Sequence, residues 1–261
     1  MKTGKIVHVL FFIISAGIFS ACQKEVRSDG PLSRDVFNVN INFKAIVDSL
    51  PLQFNTSYKN AFGEAYSVKT FKYYICQVDL VNTISNIVYH VNKNDYFLID
   101  EGDPVTVTIA GKADANKYDR LAFTIGVDST RNVSGAQTGG LDPAKGMFWT
   151  WNSGYIMAKL EGNSPLSNEP DHKIEYHIGG FKQSESTIKR ISLPFPLSQT
   201  MEFLPGATST ITVTANVNTW FHGANELHIG VNPVCTTPGQ LAKQIAENYA
   251  KMFNMAEVVN Y

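Results

Sequence analysis

The run Phe37-Asn38-Val39-Asn40-Ile41-Asn42-Phe43 puts an apolar side chain at every second position and an amide at each position between. A strand sends successive side chains to opposite faces, so four apolar groups share one face and three amides the other. This is the pattern of a half-buried strand. The same period recurs outward along the chain. Phe71-Lys-Tyr-Tyr-Ile75 continues through Val78 and Leu80, and its Tyr and Ile content favours strand over helix. Leu121, Phe123, Ile125 and Val127 alternate with smaller or polar residues, as do Ile174, Tyr176 and Ile178, and then Ile211, Val213, Ala215 and Val217. Shorter candidates lie at 87–91, 96–99, 105–109 and 188–193. Turn residues punctuate the series at Asn94-Asp95, Gly102-Asp103-Pro104, Gly179-Gly180 and Pro205-Gly206. About ten strands with no helical period between them imply antiparallel sheets packed face to face, because parallel neighbours need long crossovers. The expectation is an antiparallel β-sandwich.

The pattern changes near the C-terminus. Leu241, Ile245, Tyr249 and Met252 fall on one face of a helix, with Thr237 able to cap it and Pro238 suited to its first turn. An amphipathic helix over 238–253 is therefore expected to pack on the sandwich, closing a single domain over 35–261. Its mixed charge, Lys243, Glu247 and Lys251, speaks against a membrane-surface role.

The first 21 residues read as a targeting signal. Lys2 and Lys5 precede an apolar run from Ile6 to Phe19, and Ser20-Ala21-Cys22 follows. The run is shorter than the roughly 20 residues that span hydrocarbon, and Gln23-Lys24-Glu25 comes directly after it, so a retained transmembrane helix is the lesser reading. Small residues before a cysteine resemble the bacterial lipobox, whose cysteine is acylated and becomes the new N-terminus. Phe19 departs from its usual Leu. Cys22 is thus the expected lipidation site, membrane attachment the expected consequence, and 22–34 a polar tether. Gln23 is not the Asp of inner-membrane retention, so the outer membrane is the expected location.

With 22 Lys plus Arg against 23 Asp plus Glu, the chain lacks the basic footprint of a nucleic-acid binder. Its three cysteines include no Cys-x-x-Cys pair. After acylation of Cys22, Cys76 and Cys235 remain; they can form a disulfide, although a buried free Cys76 is the plainer reading. No nucleophile elbow, phosphate loop, dinucleotide fingerprint or His-Glu-x-x-His helix is present, so no enzyme is expected.

One central block is unusual: Phe123-Thr-Ile-Gly-Val-Asp128, Asn132-Val133, Gly139-Gly-Leu-Asp142-Pro143, and Gly146-Met147-Phe148-Trp149-Thr150-Trp151-Asn152-Ser153-Gly154-Tyr155. In a strand, Met147, Trp149 and Trp151 share a face, and core packing against the facing sheet accounts for them. His177, in Tyr176-His177-Ile178-Gly179-Gly180-Phe181, lies opposite its strand's apolar face. It is either a surface histidine or part of a site built under a loop. His222 and His228 carry imidazoles and Cys235 a thiol, groups that suit copper, and Trp220 would share a strand face with His222. Asp128, Asn132, Asp142 and Glu161 offer oxygen atoms, but their spacing matches no calcium loop, and Asp142-Pro143 fits turn chemistry.

At these residues the chain resembles the MbnP-like family, bacterial extracytoplasmic proteins that include the copper-binding protein linked to methanobactin. The resemblance runs over roughly 37–258. It is carried by Phe71-Lys-Tyr-Tyr-Ile75, Phe123-Thr-Ile-Gly-Val127, the Trp149-Thr-Trp151 run with Gly154-Tyr155, and the His177-Ile-Gly-Gly turn; the 241–253 segment is similar to the closing helix of the Bacteroidetes lipoprotein branch. It implies a site in which two histidines and a tryptophan oxidised to kynurenine hold copper, the oxidation being performed by a diheme peroxidase-like partner. His177 matches one such histidine. Val133 stands where relatives near the methanobactin system have another, and Phe148 and Thr150 stand where some carry histidine beside the tryptophans. Copper at His177, with Trp149 nearby and His222, His228 or Cys235 as substitute ligands, is one expectation. A non-enzymatic scaffold or ligand-binding lipoprotein without the metal is the other.

Overall fold

The computed structural model describes residues 36–114, 117–151, 154–196, 201 and 208–260. The expected signal segment, Cys22, the tether and the Pro205-Gly206 turn lie outside the described residues. Among those described, fourteen strands follow in order: β1 (Val36–Val47), β2 (Leu50–Pro51), β3 (Ser57–Lys59), β4 (Ala65–Asn82), β5 (Ile87–Asp100), β6 (Thr108–Asp114), β7 (Arg120–Ile125), β8 (Phe148–Trp149), β9 (Gly154–Asn163), β10 (Lys173–Gly179), β11 (Lys189–Pro194), β12 (Thr208–Asn216), β13 (Val234–Cys235) and β14 (Phe253–Asn260). They form a sandwich-like pair of sheets, one of five strands in the order β14-β12-β1-β2 with β6 also on β1. The other has nine, in the order β11-β7-β4-β9-β10-β13, with β3 and β5 on β4 and β8 on β9.

The pairing is mostly antiparallel, with two exceptions to the sequence expectation. β1 runs parallel to β12 from Asn38↔Thr208 to Ile46↔Asn216, and β10 runs parallel to β13. A parallel pair needs a long crossover, and nearly the whole nine-strand sheet separates β1 from β12 in the chain. Asn94-Asp95 interrupts a strand without turning it. Between Cys76↔Tyr96 and Val78↔Asn92, β5 advances four positions while β4 advances two, and Gln77 takes a φ of 50° at this bulge.

The alternation in β1 buries Phe37, Val39, Ile41 and Phe43 between the sheets, where the Phe43 ring meets Phe123 and Tyr73 edge-on at 5.5 and 6.2 Å. The nine-strand sheet also covers part of its outer face. There Tyr74, Leu98, Val127, Leu141, Met147, Trp149, Tyr155, Ile156 and Met157 form a second apolar cluster. β7 is buried on both faces despite its alternation: Ala122 and Thr124 are covered as well as Leu121, Phe123 and Ile125, and the Thr124 hydroxyl donates to Gln77 Oε1 and accepts from Arg190.

Two α-helices are present among the described residues, beside short 3-10 turns: α1 (Ser129–Val133) and α2 (Gln240–Tyr249). The second is shorter than the expected 238–253 at both ends. Gly239, at φ 150°, adopts backbone unsuited to a helix, which leaves Thr237 and Pro238 outside it. At the other end, Asn216 donates its backbone N–H to Met252 and Phe253 begins β14, which pairs with β12. The helix packs its Ile245, Ala246 and Tyr249 into the inter-sheet core. Among the described residues no helix is long and apolar enough to cross a membrane.

Candidate functional site

The inward side chains of β10, Ile174, Tyr176 and Ile178, are buried in the core, so Glu175 and His177 project from the outer face. On β9, Glu161 lies directly opposite Glu175, and Lys159 opposite His177. His177 Nε2 is 2.6 Å from Glu161 Oε1 and 3.6 Å from Glu175 Oε1. Lys159 Nζ lies 3.5 Å from the Glu161 carboxylate and donates to the Gly146 carbonyl at 2.7 Å, while Lys173 Nζ reaches Glu175 Oε2 at 2.8 Å. The hydrogen bond from His177 holds the Glu161 carboxyl down to about 2, assisted by Thr70 and Lys159 against its partial burial. Among the described residues, Glu161, Glu175 and His177 are the one group of three or more His, Cys, Asp or Glu side chains whose ligand atoms lie within 4.8 Å of one another. Sequence reading singled out His177 but missed Glu175; the i, i+2 spacing on a strand was the signal that joined them.

Two residues along β10, the outer face changes character. The Trp149 ring lies over Gly179, where a Cβ would stand 2.5 Å from Cζ3, so only glycine leaves room for it. Gly180 follows at φ 131° and starts the turn in which Thr187 returns an N–H to the Gly180 carbonyl. These contacts account for the Gly179-Gly180 pair. Trp149 is 6% exposed and Trp151 is 63% exposed, with ring centroids 5.5 Å apart and planes tilted by 41°. The expectation of a shared strand face gives way to a strand of two residues followed by a turn at Thr150 and Trp151. Trp149 is buried as expected, but in the outer cluster, against Met147 and Tyr155, and not against the facing sheet. A cavity of about 400 Å³ opens beside the two rings, lined also by Asn132, Tyr155, Phe181, Lys182 and Glu185.

The other sequence candidates lie elsewhere. His222 and His228 both pack on the Phe62 ring, with centroids 5.6 and 4.1 Å away, and His228 Nδ1 is 3.6 Å from Glu64 Oε1. Val217–Trp220 is a 3-10 turn, so Trp220 and His222 share no strand face: Trp220 is buried and His222 exposed. Cys235 is buried beside Tyr176, and burial pushes its thiol up to about 11, away from the thiolate form that binds metals. Cys76 and Cys235 are both free. Asp128 and Asp142 accept backbone N–H bonds at the starts of α1 and the 143–145 turn, which is capping chemistry. Asn132 is buried and fully engaged: its Nδ2 donates to the Val127 and Asp128 carbonyls, and its Oδ1 accepts from Tyr155 N at 2.8 Å. Its neighbour Val133 is 71% exposed.

Copper favours imidazole and sulfur donors. The tryptophan cavity is lined by neither, and the His177 group pairs one imidazole with two carboxylates. Neither the cavity lining nor the His177 group joins two histidines to a tryptophan.

The architecture defines a two-sheet β domain that carries its aromatic cavity and its ionic cluster on one outer face. The chain belongs to the MbnP family, whose profile matches residues 37–237. A solved structure, MbnP from Methylosinus trichosporium, has a similar fold, with a TM-score of 0.50 and 18% identity over 77% of this chain and 83% of that one. Comparison with curated protein sequences gives no match.

Proposed function

We propose that this MbnP-family chain is a non-enzymatic ligand-binding lipoprotein, held extracytoplasmically on the outer membrane through acylated Cys22. The observation that supports ligand binding is the cavity of about 400 Å³ beside Trp149 and Trp151, a size common for small-molecule sites, with an exposed tryptophan at its mouth. Anchoring rests on the sequence around Cys22. The wild-type chain is expected to partition into detergent and Cys22→Ser to release it; a wild-type chain found wholly in the aqueous phase overturns the anchor.

Copper handling is the second reading, favoured by the convergence of Glu161, Glu175 and His177. On this reading copper takes one nitrogen and two carboxylate donors, in competition with the ammonium groups of Lys159 and Lys173, and Trp149 is the target of a diheme peroxidase-like partner. Copper titration of wild type beside His177→Ala and Trp151→Ala separates the readings. Stoichiometric tight copper lost in His177→Ala and kept in Trp151→Ala would install the copper reading in place of the first. Equal, weak copper uptake by all three proteins removes it.

A further inference from the structure

We infer that the tryptophan cavity binds a small zwitterion carrying a quaternary ammonium group, an inference that rests on the ligand-binding reading above. The walls come first. Trp149 is fixed by its contact with Gly179 and by the cluster behind it, so one indole is held rigidly. Trp151, 5.5 Å away and tilted by 41°, leaves most of its ring in solvent. Phe181, half-buried, adds a third aromatic ring to the lining. Aromatic faces carry negative quadrupole density and attract cations, tryptophan most strongly, and a quaternary ammonium enters such a cage without losing strong hydrogen bonds to water.

The polar groups of the lining narrow the choice further. Asn132 has both ends of its amide occupied, and the Tyr155 hydroxyl is spent on the Leu141 carbonyl at 2.8 Å. A neutral saccharide would draw its hydrogen bonds from the exposed Thr237, the indole N–H groups and the charged Lys182 and Glu185, and would leave those two charges unneutralised. What remains is a pair of charges. Lys182 and Glu185 line the cavity from the turn after Gly180, and neither makes a side-chain hydrogen bond or ion pair among the described residues. Their charges cancel, so a simple cation or anion gains little net attraction. A molecule with both charges satisfies both: its ammonium lies between the indole faces and the Glu185 carboxylate, and its anionic group meets Lys182. The adjoining ionic cluster at His177 offers the opposite case, because each of its charges already has a partner within the protein.

The test uses the full chain and glycine betaine as the probe, with choline and glucose as comparators, read by tryptophan fluorescence and by calorimetry. Glycine betaine is expected to saturate the signal, and Trp151→Ala and Glu185→Gln each to weaken it by about tenfold, the scale of a desolvated cation–π contact with its counter-charge. Lys182→Gln should weaken glycine betaine without weakening choline, which loses a like charge near its own. Trp151 and Glu185 are not buried, so these variants are expected to fold, which thermal melting checks. Glucose binding that is lost in Trp151→Ala, with no binding of either ammonium, overturns the ligand class and leaves the ligand-binding reading standing. Silence with all three probes, or ammonium binding unaltered in both variants, overturns the inference. Tight copper lost only in His177→Ala overturns the ligand-binding reading itself.

Discussion

Two neighbouring parts of the outer face of the nine-strand sheet make opposite uses of polar side chains. Around His177, cross-strand register sets Glu161 against Glu175 and Lys159 against His177, and the resulting ion pairs close on one another. Around Trp149, glycines bring an indole down onto the sheet, and the nearby Lys182 and Glu185 have no protein partner among the described residues. The first region resembles a surface ladder, in which opposite charges across strands stabilise pairing by a few tenths of a kcal/mol. The second leaves interaction capacity open to something outside the chain. That His177 lies on β10 and Trp149 of β8 rests on Gly179 of the same strand therefore does not make the two one site.

The largest effect expected from this contrast is at the tryptophans themselves. Trp149→Ala empties a buried position in the outer cluster and should cost about 3–5 kcal/mol by denaturant unfolding. Trp151→Ala removes a mostly exposed ring and should change stability by no more than about 0.5 kcal/mol. Equal losses in the two variants would break the division between a supporting indole and an open one.

Gly179→Ala probes the same boundary from beneath. The new methyl would stand 2.5 Å from the Trp149 ring and 2.9 Å from the Tyr155 carbonyl oxygen, so the ring must move. The expected cost is about 1–3 kcal/mol, with a shift in tryptophan emission as Trp149 is displaced. An unchanged midpoint and spectrum would show that the ring has room to spare.

The parts of the molecule legible in its sequence are those governed by local period. Phe37, Val39, Ile41 and Phe43 alternate because one face of β1 meets the core, and that relation needs no knowledge of the partner strand. The parallel partner of β1 could not be read, since the register with β12 is set by packing across 170 residues of chain, Asn38 meeting Thr208. Helix α2 was legible from Leu241, Ile245 and Tyr249, but Met252 and Phe253 continued its apolar spacing while belonging to the approach to β14. At the candidate site, the outward direction of His177 followed from parity alone. Its carboxylate partner Glu161 is on another strand, and Lys182 and Glu185 sit in a turn whose approach to Trp149 depends on Gly179 and Gly180. Such meetings are made by tertiary register, which a single sequence does not encode as a period.

The smallest expected effects compare a carboxyl with one buried oxygen unpartnered, its other contact being the Ala45 backbone, with a carboxyl that has several side-chain partners. Glu101 has its Oε1 buried with no hydrogen-bond partner, and burial pushes its pKa up from 4.5 to about 7, with Asp100 adding to the rise. A raised carboxyl contributes stability below pH 4.5 that is lost as pH rises through about 7. Glu101→Gln should therefore flatten the stability profile across that window and leave the protein more stable than wild type above it, by about 1–2 kcal/mol. Glu161 has the opposite sign. His177 holds its carboxyl down from 4.5 to about 2, so its contribution is present above pH 4.5 and is lost as pH falls through about 2. Because its side chain is 33% exposed, solvent screening limits the contribution to less than about 1 kcal/mol. Glu161→Gln should be slightly less stable than wild type near neutrality, and the two denaturant midpoints should converge as acid protonates the wild-type carboxyl. A gap that persists in acid would assign the loss to packing of the side chain and not to its charge, and would remove the ion-paired character that sets the His177 region apart from the tryptophan cavity.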